Sequence, residues 1–338
     1  MKLDFVKNLS LIACVLITTL CTHYGYASEA VVEILNPSTY SRVIAVSDLH
    51  GRAKAGRKLM QALGVASEDG AWIGGKSLVV VIGDSVAKGD HSIKLLRYWM
   101  KLEKEAQAAG GKLLHTLGNH EARLISRPSS YLAQHPEILD EMEELGLKTL
   151  GETTKEGKFL RRMPVAARVG NVLFIHTGTV EHKSWELLKK DYQKIFDSKK
   201  YNHPLLIGDD SILEAKMYGE YDQKLVSQNF KKLKEMDIHT VVFGHEPGVF
   251  LDHIRDPATA LKQNTQQAIN IDFGMGGKSK AKQARAILFT KPENMTSKTL
   301  DLTTVKATTE DTVKSFFNDE GFCFEKTLRK LLIIRDLE

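Results

Sequence analysis

Val79–Asp90 reads VVVIGDSVAKGD: four consecutive β-branched residues stop at Gly83 and deliver an aspartate, Asp84, at the end of the run. The run predicts a strand, the glycine its end, and the aspartate a polar group set just beyond it. Whether Asp84 is a carboxylate shared by two metal ions decides how the rest of the chain is read.

The same pattern recurs on both sides. Val43–Val46 predicts a strand ending at Ser47-Asp48-Leu49-His50-Gly51, and Lys54–Leu63 then carries helical spacing. Ile93–Ala109 is a long amphipathic helix closed by Gly110-Gly111, and Lys112–Leu117 is a strand ending at Gly118-Asn119-His120-Glu121. From Arg123 to Gly157 the pattern is helical and polar, broken by Pro128 and Pro136. Val165–Val169 and Val172–Ile175 flank a Gly170-Asn171 turn, predicting a hairpin whose second strand runs into His176. Glu181–Glu235 reads as charged amphipathic helix, a solvated cap over the core. Thr240–Phe243 predicts a strand ending at Gly244-His245, Ile269–Ile271 leads into Asp272-Phe273-Gly274, and Ala284–Phe289 completes the core. A C-terminal extension from residue 296 is rich in Thr and Lys and then helical from Asp311. Alternating strands and helices over residues 28–295 give an α/β class, layered in the α+β manner.

With 338 residues the chain can bury a large core. Its 42% apolar and 26% charged content is that of a soluble globular protein. The net charge of +5 comes from Lys and Arg scattered among Asp and Glu, which argues against a nucleic-acid partner. Lys2 and Lys7 precede an apolar stretch from Leu9 to Leu20, and Gly25-Tyr26-Ala27 offers small residues beyond it. Residues 1–27 therefore read as a signal peptide, placing the mature protein in the periplasm or outside the cell with no membrane attachment once the leader is cleaved. An apolar stretch of about a dozen residues falls short of the roughly twenty a membrane span needs. Cys14 and Cys21 lie in that leader, so the mature chain keeps Cys323 alone and has no internal disulfide.

Metal-ligand side chains sit beyond five separate strands: Asp48 and His50, Asp84, Asn119 with His120, His176, and His245. A lone Asp after a strand is usually a helix cap, and a lone His usually a satisfied core residue. Five recurrences, each with a glycine beside or near the polar residue, are poorly explained by capping. At the carboxyl ends of strands such groups build ligand sites. Asp48 and His50 can hold one ion, Asn119, His176 and His245 another, and Asp84 can bridge them. Mixed imidazole and carboxylate donors suit Mn, Fe or Zn. Two divalent ions against two aspartates leave a positive site that favours a phosphate dianion, which points to phosphoester hydrolysis.

Asp48-Leu49-His50-Gly51, Gly83-Asp84, Gly118-Asn119-His120-Glu121, His176-Thr177-Gly178 and Gly244-His245 follow in order the blocks of the calcineurin-like metallophosphoesterases, and specifically resemble the phosphoprotein phosphatase family. Within it, Leu102–Glu121 (LEKEAQAAGGKLLHTLGNHE) looks most like the bacterial Shewanella-like protein phosphatases. The resemblance runs from Arg42 to Phe289 and implies a β-sandwich flanked by helices, with a two-metal site at one rim. It also implies that Asp48, His50, Asp84, Asn119, His176 and His245 are the ligands and that His120 is the acid protonating the leaving oxygen.

The second block departs from the family's Gly-Asp-x-x-Asp-Arg-Gly, with Ala87 and Lys88 in place of its second Asp and its Arg. Smaller departures are Ser47 before the first Asp and Thr177 after His176. Lys88 keeps a charge for the phosphate but exchanges a bidentate fork for a point charge. Arg123, just past the third block, is a candidate second phosphate contact, with a surface helix arginine as its ordinary alternative. Ala87 removes the carboxylate that would orient His120, unless Asp90 or Glu121 takes its place. A weakened acid favours good leaving groups, so the expected substrates are phosphorylated proteins or small phosphoesters, leaning to phosphotyrosine and aryl phosphates. Two other readings compete: hydrolysis of diadenosine or inorganic polyphosphate, suggested by Lys88 and the Asp272 segment, and a non-catalytic binding module marked by Ala87.

Overall fold

Val79 and its neighbours form a strand covered on both faces, and that double burial sets the architecture. In the computed structural model, which describes residues 29–218, 223–247, 261–263, 266–272, 274–277, 284–290, 302–303 and 329–334, β3 (Ser77–Ile82) lies between β2 (Arg42–Ser47) and β4 (Lys112–Thr116), parallel to both. β10 (Ala284–Thr290) runs antiparallel along β2, and β12 (Arg329–Ile334) with β11 (Leu302–Thr303) completes this six-stranded sheet. A second sheet has the order β1 (Val31–Ile34), β5 (Ala166–Val169), β6 (Val172–Ile175), β7 (Thr240–Phe243), β9 (Gln266–Asn270), β8 (Leu261–Gln263). Here β6 and β7 run parallel, and β5 and β6 form the predicted hairpin about Gly170.

Alternate residues of each central strand serve two cores. Val43, Ala45, Leu78, Val80 and Ile82 meet Val169, Val172, Phe174 and Val242 between the sheets, where Phe174 and Phe289 pack edge to face with centroids 5.8 Å apart. Val79 and Val81 turn to the other side and join the helical layer. There α2 (Ser92–Ala108) buries Ile93, Leu96, Trp99 and Leu102 at helical spacing, following the shorter α1 (Ala53–Ala62). A strand apolar at every position is what a sheet covered on both sides requires.

Pro128 and Pro136, read from sequence as breaks, instead start helices. α3 (Asn119–Ser126), α4 (Pro128–Gln134) and α5 (Pro136–Glu144) follow one another, with proline in the first turn of the last two, and α6 (Lys155–Arg161) comes next. Proline fits there because the first turn has no intrahelical use for its missing N–H. The expected solvated cap does more than cover. α7 (Trp185–Ser198), α8 (Pro204–Ile207) and α9 (Gln223–Glu235) bury Trp185, Leu188, Tyr192, Phe196, Leu206, Phe230 and Leu233, and Glu214, between α8 and α9, reaches Asn119 at the end of β4. At the C-terminus Arg329–Ile334 is a strand paired with β10 rather than helix. The leader, Cys323 and residues 311–328 lie outside the described residues. No helix among the described residues is long and apolar enough to cross a membrane.

Candidate active site

Parallel β2, β3 and β4, together with parallel β6 and β7, bring five strand ends to one rim, and all six expected ligands gather there. Asp48, Asp84, Asn119 and His176 are buried at 5% exposure or less. The backbone pays for this convergence. Asp48, His50, Asp84, Ala87, Lys88 and His245 all sit in the left-handed region, with φ between 41 and 67°. Each non-glycine residue there costs on the order of 1–2 kcal/mol, and such strain collects at functional sites.

The loop carrying Asp84 is held from outside itself. Glu121, fully buried, accepts from the backbone N–H of Asp84 (2.8 Å) and Gly118 (2.9 Å) on one oxygen, and of Ser85 (2.7 Å) and Val86 (3.0 Å) on the other. Ser85 Oγ is fixed in turn by Trp99 Nε1 at 3.0 Å and His115 Nε2 at 2.7 Å. Two glycines leave room for the carboxylates: a β-carbon on Gly118 would collide with Asp84 Oδ1, and one on Gly244 with Asp48 Oδ2. Gly244→Ala is therefore expected to displace the Asp48 carboxylate and lower the metal content of the purified protein, measured by elemental analysis.

The two carboxylate oxygens of Asp84 face different neighbours. Oδ2 lies 3.5 Å from His50 Nε2, and Oδ1 lies 3.4 Å from His176 Nε2. Donor atoms of His50, Asp84 and His120 form one cluster, and those of Asp84, His176 and His245 another, each within 4.8 Å. The far nitrogen of each expected ligand histidine approaches a main-chain carbonyl: His50 Nδ1 at Val86 O (3.2 Å), His176 Nδ1 at Ile82 O (3.3 Å), His245 Nε2 at Glu214 O (3.1 Å). A carbonyl can only accept, so these nitrogens carry a proton; on the neutral rings of His50 and His245 the opposite nitrogen keeps a lone pair for a metal, whereas His176 Nε2 faces the acceptors Asn119 Oδ1 and Asp84 Oδ1 and holds a proton that a bound cation would replace. Asn119 is oriented likewise: its amide donates to Glu214 Oε2 at 3.2 Å, and Oδ1 points inward, 3.2 Å from His176 Nε2.

The electrostatics match. Burial, with the neighbouring Asp272 and Asp84, pushes the Asp48 carboxyl well above its usual range. Burial would lower His176, but the Asp84 and Asp48 carboxylates outweigh it and raise the imidazole to about 10. Burial lowers His50 and His245 to about 3, leaving both neutral. Crowded carboxylates that demand positive charge, beside neutral imidazoles with inward lone pairs, are a donor set that fits divalent cations.

The remaining candidates separate. Lys88 is exposed at the rim, with Nζ 3.2 Å from His50 Nε2 and its backbone N–H donated to Glu137 Oε1 at 2.9 Å. Arg123 gives its fork to Glu214, with Nε and Nη2 each 2.5 Å from a carboxylate oxygen. Its partner is thus an acid that orients Asn119, a role the sequence did not suggest. His120 presents Nε2 3.9 Å from Asp84 Oδ2, and its Nδ1 meets the Tyr131 hydroxyl at 2.7 Å. Neither expected substitute for the missing carboxylate serves it: Glu121 is committed to the four amides and Asp90 is exposed. Glu121 stood inside a quoted block, whereas Tyr131 and Glu214 carried no local signal.

The family description Calcineurin-like phosphoesterase matches residues 41–260. The chain is 36% identical to Shewanella-like protein phosphatase 2 of Arabidopsis thaliana over 93 residues, covering 28% of this chain and 24% of that protein. It is 24% identical to Shewanella-like protein phosphatase 1 of Plasmodium berghei over 140 residues, covering 40% of this chain and 39% of that protein. The matches thus span well under half the length of these relatives. Among solved structures, the cold-active protein-tyrosine phosphatase of a psychrophilic Shewanella aligns with a TM-score of 0.59 at 20% identity, covering 77% of each chain, which establishes a shared fold.

Proposed function

This chain belongs to the calcineurin-like phosphoesterase family, and on that premise we propose that it is a two-metal phosphomonoester hydrolase acting on phosphorylated proteins, with a preference for phosphotyrosine and other aryl phosphates. One observation carries the reading: His50, His176 and His245 each spend one nitrogen on a backbone carbonyl and aim the other toward the two oxygens of Asp84. Asp48 and His50 would hold one ion and Asn119, His176 and His245 the other, with Asp84 placed to serve both, and the mixed imidazole and carboxylate donors suit Mn, Fe or Zn. Bound there, the ions supply positive charge for the phosphoryl oxygens and acidity for the attacking water.

The chain's own residues do the rest. Lys88 offers an ammonium at the rim for the phosphate, while Arg123 stays with Glu214 and keeps Asn119 in place. His120 offers Nε2 to the leaving oxygen. Among the described residues no carboxylate hydrogen-bonds its ring, so its help to a departing alkoxide is modest. A phenol, with a pKa of about 10, departs with much less help than an alcohol. The likeness to Shewanella-like protein phosphatases supports a phosphoprotein as substrate.

The test compares matched phosphotyrosine and phosphoserine peptides on Mn- and Zn-loaded protein. A kcat/KM at least about tenfold higher for phosphotyrosine is expected, about 1.4 kcal/mol of transition-state energy. An advantage for phosphoserine would sink the preference, and no turnover of p-nitrophenyl phosphate would sink the activity itself.

A further inference from the structure

We infer that Tyr131 is a positioning residue that holds His120 as a hydrogen-bond donor to the leaving oxygen, and so sets which leaving groups the site tolerates. The inference deepens the phosphomonoesterase reading and rests on it.

Four histidines meet at the rim, and what stands behind each ring sorts them. Behind His50, His176 and His245 is a carbonyl, which fixes a proton on the outer nitrogen and turns the inner one toward the Asp84 carboxylate. Behind His120 is a hydroxyl, Tyr131 Oη, 2.7 Å from Nδ1. A phenol can donate. Tyr131 is 4% exposed, and among the described residues its hydroxyl has no other hydrogen-bond partner. Were Nδ1 the donor, the buried hydroxyl proton would be left without an acceptor, at a cost of about 1–3 kcal/mol. With Tyr131 donating, the buried hydroxyl proton has its acceptor in Nδ1, and the ring's own proton sits on Nε2, the nitrogen that faces the site 3.9 Å from Asp84 Oδ2 and is left to donate to a leaving oxygen. The same ring chemistry thus yields three metal ligands and one donor, divided by the atom behind each.

Tyr131 is itself anchored. It lies in α4, which starts at Pro128, and its ring packs on His135 with centroids 4.4 Å apart. His135 Nδ1 bonds Glu137, the same carboxylate that accepts from the Lys88 backbone. One short segment, Tyr131 to Glu137, therefore supports both the leaving-group side and the phosphate side of the site.

The test is Tyr131→Phe, which keeps the buried ring and removes one oxygen, assayed with the metal-loaded protein on substituted phenyl phosphates of rising leaving-group pKa. The expected result is a loss in kcat that grows along the series, from about twofold on p-nitrophenyl phosphate to tenfold or more on phenyl phosphate, with KM little changed, because acid–base assistance matters most for poor leaving groups. A loss equal on every substrate marks a merely structural role and overturns the inference. A second measurement is independent of the variant's folding: 15N NMR of histidine-labelled, zinc-loaded wild-type protein, with His120 assigned by His120→Gln. Its proton is expected on Nε2, and finding it on Nδ1 overturns the inference. Wild-type protein that hydrolyses no phosphomonoester ends the underlying reading as well, whereas turnover with a parallel loss ends the Tyr131 inference alone.

Discussion

Asp84→Asn is expected to abolish turnover and to strip metal from the site. Asp84 Oδ2 faces His50 and His120 while Oδ1 faces His176 and accepts the His120 backbone N–H at 3.1 Å. An asparagine of the same shape keeps one oxygen and turns an NH2 group toward one of the two sets. It also removes one of the negative charges that would balance bound divalent cations. Metal-mediated charge stabilisation is worth several kcal/mol, so kcat should fall on the order of a thousandfold or more. Elemental analysis should show less than the wild-type metal content. Full occupancy with wild-type kcat would remove Asp84 from its shared role.

Glu121→Gln is expected to act on the same loop by a different route. Its carboxylate takes two backbone N–H donors on each oxygen, and together they tie the Gly83–Val86 loop to the start of α3. A glutamine presents NH2 to one of those pairs, so two buried donors lose their acceptor and face a third. Breaking a buried charge-assisted network costs about 3–5 kcal/mol, which for a protein of this size is about 4–7 °C in Tm. Thermal denaturation monitored by circular dichroism checks it. Metal affinity should fall too, since Asp84 is aimed by this loop. An unchanged Tm would mean that the four contacts do not govern the loop.

The strands were legible in the sequence because burial on both faces leaves runs such as Val79–Ile82 with no polar interruption. The ligand residues were legible because each follows such a run. What stayed hidden depends on distant pairing. Glu214 lies 95 residues from Asn119 and 91 from Arg123, in a segment whose charge pattern suggested only solvation. Tyr131 looked like one aromatic in a polar helical stretch, and only folding puts its hydroxyl on His120. Arg123 shows the converse: its place beside the third block suggested phosphate, but an acid brought by another segment claims its fork. The prolines misled for a local reason, since a residue that ends one helix can equally begin the next.

The arrangement of strand ends also governs when the site can exist. Its ligands are spread from Asp48 to His245, and they converge only through parallel pairings of β2, β3 and β4 and of β6 with β7. Contacts so distant along the chain carry the full entropy of closing long loops before any of them is rewarded, which makes such topologies slow to fold. During synthesis, a nascent chain that has released the first three blocks holds half a metal site and two buried-to-be aspartates with nothing to balance them. The full ligand set is available only after the strand before His245 has left the ribosome, and β9 and β10, which flank β7 and β2, emerge later still, so metal capture would be a late event in synthesis.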